Sequence, residues 1–206
     1  MNIILFGGCN WVGRDLLNKL LMEKQSFHLT WVDNLSSEYS SRHLTWEFEY
    51  LKGDCFDFKY GDITNYAFVE SIITENSIII YNIWNEPDSI LGFDYVTAIA
   101  KTKKSKIMYM TNNTLVSSFN YIITKHQLDV TIGIKLVGEL IGDYGISHKR
   151  DPIDTIEYYK KIGNNVYMNP SFEYYTMESV IQFIYFFLLQ DMDESILILQ
   201  PTKIYQ

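Results

Sequence analysis

The chain opens with Ile3-Ile4-Leu5-Phe6-Gly7-Gly8-Cys9-Asn10-Trp11-Val12-Gly13, and no other segment restricts the fold as much. A strand with one wet face would alternate apolar and polar residues; this run is apolar throughout, so it is expected to be buried on both faces. Strands of that kind belong to parallel sheets whose crossover helices cover both sides. Trp11, Leu16, Leu17, Leu20 and Leu21 then recur at helical spacing, which predicts a helix over residues 10–24. A buried strand that turns through glycines directly into a helix makes a cradle for phosphate, because unpaired N–H groups and the positive end of the helix dipole meet there. Gly7 permits the tight turn and Gly13 lets the helix approach the sheet, while Gly8, Trp11 and Val12 line the same segment. Asn10 stands where the dinucleotide-binding pattern has its middle glycine. Asn tolerates a left-handed backbone, but its side chain takes up space.

The rest of the chain keeps the alternation. Residues 27–32, 56–60, 77–82, 106–110 and 130–137 are apolar or β-branched runs and read as strands. Residues 63–74, 95–104 and 121–128 read as the intervening helices, with Thr64 or Asn65 capping the first. Helices are also expected over 152–162 and 177–189, and a last strand over 196–199. Strand–helix alternation with right-handed crossovers predicts a doubly wound parallel sheet. Ligands of such sheets lie at the carboxyl ends of the strands, near the point where strand order reverses.

Two acidic residues follow strands at informative places. Asp33 ends the second strand about 20 residues past the glycines, where a carboxylate would accept from an adenosine ribose and repel a 2′-phosphate. This favours NAD over NADP; the competing reading is that Asp33-Asn34 starts a turn. Asp62, after the third strand, either caps a helix or accepts from an adenine amino group. Further on, Tyr121 and Lys125 stand at i and i+4, hence on one helical face. An ammonium beside a phenol favours phenolate, so the phenol can exchange a proton with a sugar or alcohol hydroxyl while hydride moves to a cofactor.

Together these residues resemble the extended short-chain dehydrogenase/reductases, the NAD-dependent epimerase/dehydratase family acting on nucleotide sugars. The opening is similar to that family's strand and glycine turn, with Trp11-Val12-Gly13 close to its "GWIG" form. Val32-Asp33-Asn34-Leu35-Ser36 is similar to its "VDNLS" segment, and Gly61-Asp62-Ile63 to its "GDI" segment. Residues 106–114 sit where the family has the strand leading to a catalytic Ser or Thr, and Tyr121–Lys125 matches Tyr-x-x-x-Lys. The resemblance implies a Rossmann domain over residues 1–140, with a reduced C-terminal substrate region over 141–206 packed on it. It implies NAD held by Gly7, Gly8, Asn10, Trp11, Val12, Gly13, Asp33, Asn34, Asp62, Ile63 and Lys125. It further implies Tyr121 as acid/base, Lys125 as its support, and Thr111 as the aligning hydroxyl, with Asn112 or Asn113 as alternatives at that motif position. The substrate would be a nucleotide-activated sugar, and the Tyr–Lys helix and its neighbour would form a homodimer face.

Departures point to a second reading. The middle glycine is missing, and the stretch from Thr111 to Tyr121 is short. The dehydratases' Asp-Glu pair is Asn113-Thr114 here, and little chain remains to enclose a sugar nucleotide. On that reading the chain is a reduced, inactive relative that binds a dinucleotide or a protein partner.

Composition excludes other classes. The chain is 47% hydrophobic and 20% charged with four Pro, which is no disordered or collagen-like composition. The longest apolar run, residues 181–189, is broken by Gln182 and is too short for a membrane span. The net charge of −8 opposes nucleic-acid binding, and the basic cluster at 101–106 is short. His28, His43, His126 and His148 lack metal-ligand spacing. Cys9 and Cys55 are too few for a disulfide framework, so a cytoplasmic setting is expected.

Overall fold

The structure, a computed structural model, describes residues 1–9, 11–22, 27–36, 56–83, 88–111, 115–128, 131–136, 139–141, 172–188, 195–199 and 203–205. The opening run forms β1 (Asn2–Phe6), and the glycine turn leads into α1 (Trp11–Met22). β2 (His28–Asp33), β3 (Phe56–Tyr60), α2 (Tyr66–Ile72), β4 (Ile78–Tyr81), α3 (Ser89–Lys103), β5 (Lys106–Thr111), α4 (Val116–His126) and β6 (Thr131–Leu136) follow. The described C-terminal elements are β7 (Glu139–Ile141), β8 (Phe172–Thr176), α5 (Met177–Leu188), β9 (Ser195–Leu199) and β10 (Lys203–Tyr205).

Seven strands make one parallel sheet in the order β3-β2-β1-β4-β5-β6-β9. Strand order reverses between β1 and β4, which is the switch point where such sheets take ligands. The chain thus has the doubly wound α/β architecture that its alternation predicts. β9, from beyond residue 140, is a strand of this same sheet. β7, β8 and β10 form a separate small sheet in the order β10-β8-β7.

Side-chain alternation along the strands feeds two cores. Ile3, Leu5, Leu29, Trp31, Ile80, Met108 and Met110 face α1 and α5. Ile4, Phe6, Val32, Ile79, Tyr81, Ile107 and Tyr109 face α2, α3 and α4. The second core is aromatic at its centre: Phe93 stacks on Phe119 at 4.2 Å between ring centroids, with Tyr81 and Tyr109 at 5.0 Å from Phe93. Burial drives the Tyr109 hydroxyl up to about 12 and the Tyr81 hydroxyl well above its ordinary value, with Asp88 adding to the latter. Both stay protonated, as donors to Asn120 Oδ1 (3.1 Å) and to the Ser89 carbonyl (2.6 Å).

Helix boundaries differ from expectation for identifiable reasons. α2 starts at Tyr66 rather than residue 63 because Asp62 and Asn65 shape the entry. Asp62 Oδ1 accepts from the Thr64 N–H and hydroxyl, and Asn65 Oδ1 caps the Phe68 N–H at 3.1 Å. α3 starts at Ser89 rather than residue 95, and it carries Gly92 inside a turn where Ile63 occupies the space a Cβ would need. α4 starts at Val116 rather than residue 121, because Phe119 needs helical geometry to reach the aromatic core. The helix expected over 152–162 lies outside the described residues.

Candidate functional site

The glycine turn is built from main-chain geometry. Gly7 has φ +83°, a conformation that suits glycine, and its N–H donates to the Val32 carbonyl at 3.0 Å. A Cβ on Gly7 would lie 2.7 Å from Ile83 Cγ1 and 2.8 Å from the Asn82 carbonyl. A Cβ on Gly13 would run into the Gly7 carbonyl, so the first turn of α1 rests directly on the loop. Gly8 answers a different need: a Cβ there would strike the Trp31 indole and Leu17, so it closes the core under α1. Val12 is also buried in that core.

Asp33 ties this turn to β2. Its Oδ2 accepts from the Cys9 N–H at 2.7 Å, and its Oδ1 accepts from the Leu35 N–H at 2.8 Å. Burial pushes its carboxyl up, against the pull of these backbone donors. A carboxylate has about four acceptor positions. The Cys9, Leu35 and Gly8 backbones and the Trp31 side chain all donate toward it, so the carboxylate is largely engaged within the protein. Asn34 Oδ1 accepts from the Ser36 N–H at 3.0 Å, so Asp33-Asn34 opens a turn as well as ending a strand. On the opposite side, the buried Asn82 follows β4 and donates through Nδ2 to the Gly7 carbonyl at 2.9 Å. Asn82 is absent from the sequence-based set. Its signal is a polar residue directly after an apolar strand, at the switch point.

These features fit the phosphate and ribose end of an adenine dinucleotide. The turn is tight enough that protein atoms take each glycine's Cβ position, a twelve-residue helix begins there, and a carboxylate stands at the end of β2. Asn10 lies outside the described residues, as do Asn112 and Asn113. Trp11 is the first residue of α1. Asp62 is exposed and engaged with Thr64, while Ile63 is buried against α3. Thr111 ends β5 and is fully buried.

Tyr121 and Lys125 are placed elsewhere. α4 turns Phe119 and Ile122 into the core, which leaves Tyr121 71% exposed. The two residues line an open hollow of about 670 Å³ together with Asp88, Ile90, Leu91, Asp94, Ser117, Ser118 and Ile122. Its described walls come from α3, α4 and the residue before α3, and no described residue of the glycine turn is among them. The Lys125 ammonium donates to both oxygens of Asp94 at 2.9 Å, and His126 Nε2 meets Asp94 Oδ1 at 2.6 Å. Burial acts to raise the Asp94 carboxyl, but hydrogen bonds and charge from Lys125 and His126 outweigh it and lower the pKa. The structure therefore brings Gly7, Gly8, Gly13 and Asp33 together, and it places Tyr121 and Lys125 on the α3–α4 hollow.

Among the described residues, no group of three His, Cys, Asp or Glu side chains could hold a metal ion, and no helix is long and apolar enough to cross a membrane.

No protein-family model and no curated protein matches the chain. Solved structures share its fold. A dTDP-glucose 4,6-dehydratase from Bacillus anthracis, solved with NAD, matches with a TM-score of 0.76 at 15% identity, covering 99% of this chain and 76% of its own. A UDP-glucose 4-epimerase from Thermotoga maritima, solved with UDP-glucose, matches at 0.71 and 13% identity, covering 99% and 78%. Pen from Bacillus thuringiensis matches at 0.72 and 17% identity, covering 98% and 69%. The likeness is one of fold: the chain has the architecture of NAD-dependent nucleotide-sugar epimerases and dehydratases.

Proposed function

We propose that this chain is a reduced member of the NAD-dependent epimerase/dehydratase family that binds NAD(H) at the Gly7–Gly13 turn. The observation that carries the reading is the tight strand-to-helix turn itself, closed by Gly7, Gly8 and Gly13 and tied to β2 through Asp33. The N–H groups at the start of α1 face the pyrophosphate. Asp33 accepts from the adenosine ribose and repels a 2′-phosphate, so NAD is preferred over NADP. Asp62 and Ile63 border the adenine. Bound NAD supplies a hydride acceptor beside the sheet.

Two uses of that cofactor are open to such a chain. In one, hydride passes to or from a nucleotide-activated sugar, with Tyr121 as acid/base, Lys125 as its support and Thr111 aligning the substrate. In the other, the chain binds the dinucleotide in a structural or regulatory role without turnover. The 71% exposure of Tyr121 and the pairing of Lys125 with Asp94 favour the second. The hollow that carries Tyr121 presents Ile90 and Leu91 to solvent and serves as a homodimer face. The setting is cytoplasmic, where the buried Cys9 thiol stays reduced.

Titration with NAD and NADH, read by intrinsic fluorescence and thermal shift, tests the binding claim: saturable binding is expected, and no response to either nucleotide refutes it. The binder is then incubated with UDP-glucose and dTDP-glucose, and no product is expected. Turnover that Tyr121→Phe abolishes, with NADH affinity unchanged, would restore the enzyme reading.

A further inference from the structure

A parallel sheet leaves the carboxyl end of each strand to find its own partners, and at the switch point two such ends diverge. β1 continues into the glycine turn. β4 continues through Asn82, whose N–H still follows the ladder by donating to the Phe6 carbonyl at 3.0 Å. Its side chain then crosses the gap and donates to the Gly7 carbonyl at 2.9 Å. Asn82 is fully buried, and its Nδ2 lies 2.9 Å from the point a Cβ on Gly13 would occupy. One amide thus reaches the turn and the helix that rests on it.

The fixed carbonyl matters because the first turn of α1 rests on it: a Cβ on Gly13 would run into the Gly7 oxygen. Asp33 holds the N–H groups of Gly8 and Cys9 from the β2 side. The turn is therefore gripped from both neighbouring strands. We infer that Asn82 is a positioning residue for the dinucleotide's pyrophosphate: from β4 it fixes the turn on which the first residues of α1 rest, so the N–H groups of that helix start are aimed before any ligand arrives. This inference rests on the NAD(H) reading above. It adds that affinity for the phosphates, and not for the nucleoside, depends on a residue that touches neither.

The experiment compares the wild type with Asn82→Ala, using NADH, ADP and adenosine as probes. Loss of one neutral hydrogen bond predicts about three- to tenfold weaker binding of NADH and ADP. Adenosine, which has no phosphate, should bind both proteins equally. Amide hydrogen exchange without ligand supplies a second readout: residues 7–9 should exchange severalfold faster in the variant, while residues 107–110 in β5 stay unchanged. Equal weakening of all three probes, or exchange accelerated throughout the sheet, would show a general structural role and overturn the inference. Unchanged binding and exchange would overturn it as well. If the wild type binds none of the probes, the NAD(H) reading fails separately, and exchange at residues 7–9 decides whether Asn82 holds the turn. Should Asn82→Ala fail to fold, Asn82→Ser, which leaves a smaller void, is measured in the same way.

Discussion

Replacing Gly7 with alanine tests the glycine turn by its energy. The residue sits at φ +83°, and a left-handed conformation costs a residue bearing a Cβ roughly 1–2 kcal/mol. The new methyl would also stand 2.8 Å from the Asn82 carbonyl oxygen and 2.7 Å from Ile83 Cγ1. The Ile83 side chain can give way, but the carbonyl belongs to the chain leaving β4 and cannot rotate aside alone. Forcing an extra methyl into such a site costs about 1–3 kcal/mol. The two effects together come to about 2–5 kcal/mol, a large share of the 5–15 kcal/mol typical of a folded domain. For a chain of this size each kcal/mol moves the melting temperature by about 2–4 °C, so the middle of the range predicts a fall of roughly 10 °C. Circular dichroism melts of the two proteins at one pH and concentration measure it. A Gly7→Ala protein that melts within about 1 °C of wild type would refute the argument, because both the positive φ and the close carbonyl would then have to be wrong.

The α3–α4 face carries two further predictions. Asp94 has a lowered pKa, so its ionised form favours the folded state. That contribution is present above its ordinary value of 3.8 and is lost as pH falls below it. The Lys125 side chain is 46% exposed, which limits the pair to under about 1 kcal/mol. Asp94→Asn should therefore cost less than about 1 kcal/mol at pH 7 and flatten the loss of stability below pH 3.8, as read from urea midpoints across pH 3–7; a steeper acid loss in the variant would contradict the sign. Ile90 and Leu91 are exposed at 42% and 43% on the same face. Sedimentation at tens of micromolar should find a dimer that Leu91→Glu converts to monomer without lowering the melting temperature, and a wild-type monomer at that concentration would remove the dimer face.

How much of this is legible in the amino-acid sequence depends on whether a signal is local. The order of strands and helices through β6 follows from runs such as Ile3–Phe6 and Ile78–Tyr81, because burial on both faces writes itself into consecutive residues. The role of Gly7 is legible too, since a tight strand-to-helix turn needs a residue free of Cβ. The starts of α3 and α4 are not, because Gly92 reads as a helix breaker until Ile63, distant in sequence, is seen to fill the space beside it. What Asn82 binds is hidden for the same reason: its partner Gly7 follows a different strand. Tyr121 and Lys125 show the limit most clearly. A spacing of four residues establishes that two side chains share a face, yet it is silent about which way that face points. The direction is set by the apolar residues of the same helix. Phe119 and Ile122 are buried, and at about 100° per residue Tyr121 falls well to the side of the stripe they define. A motif on a helix therefore has two parts, its own spacing and its phase against the buried stripe. Here the spacing agrees with a catalytic pair, while the phase turns that pair toward Asp94 and solvent.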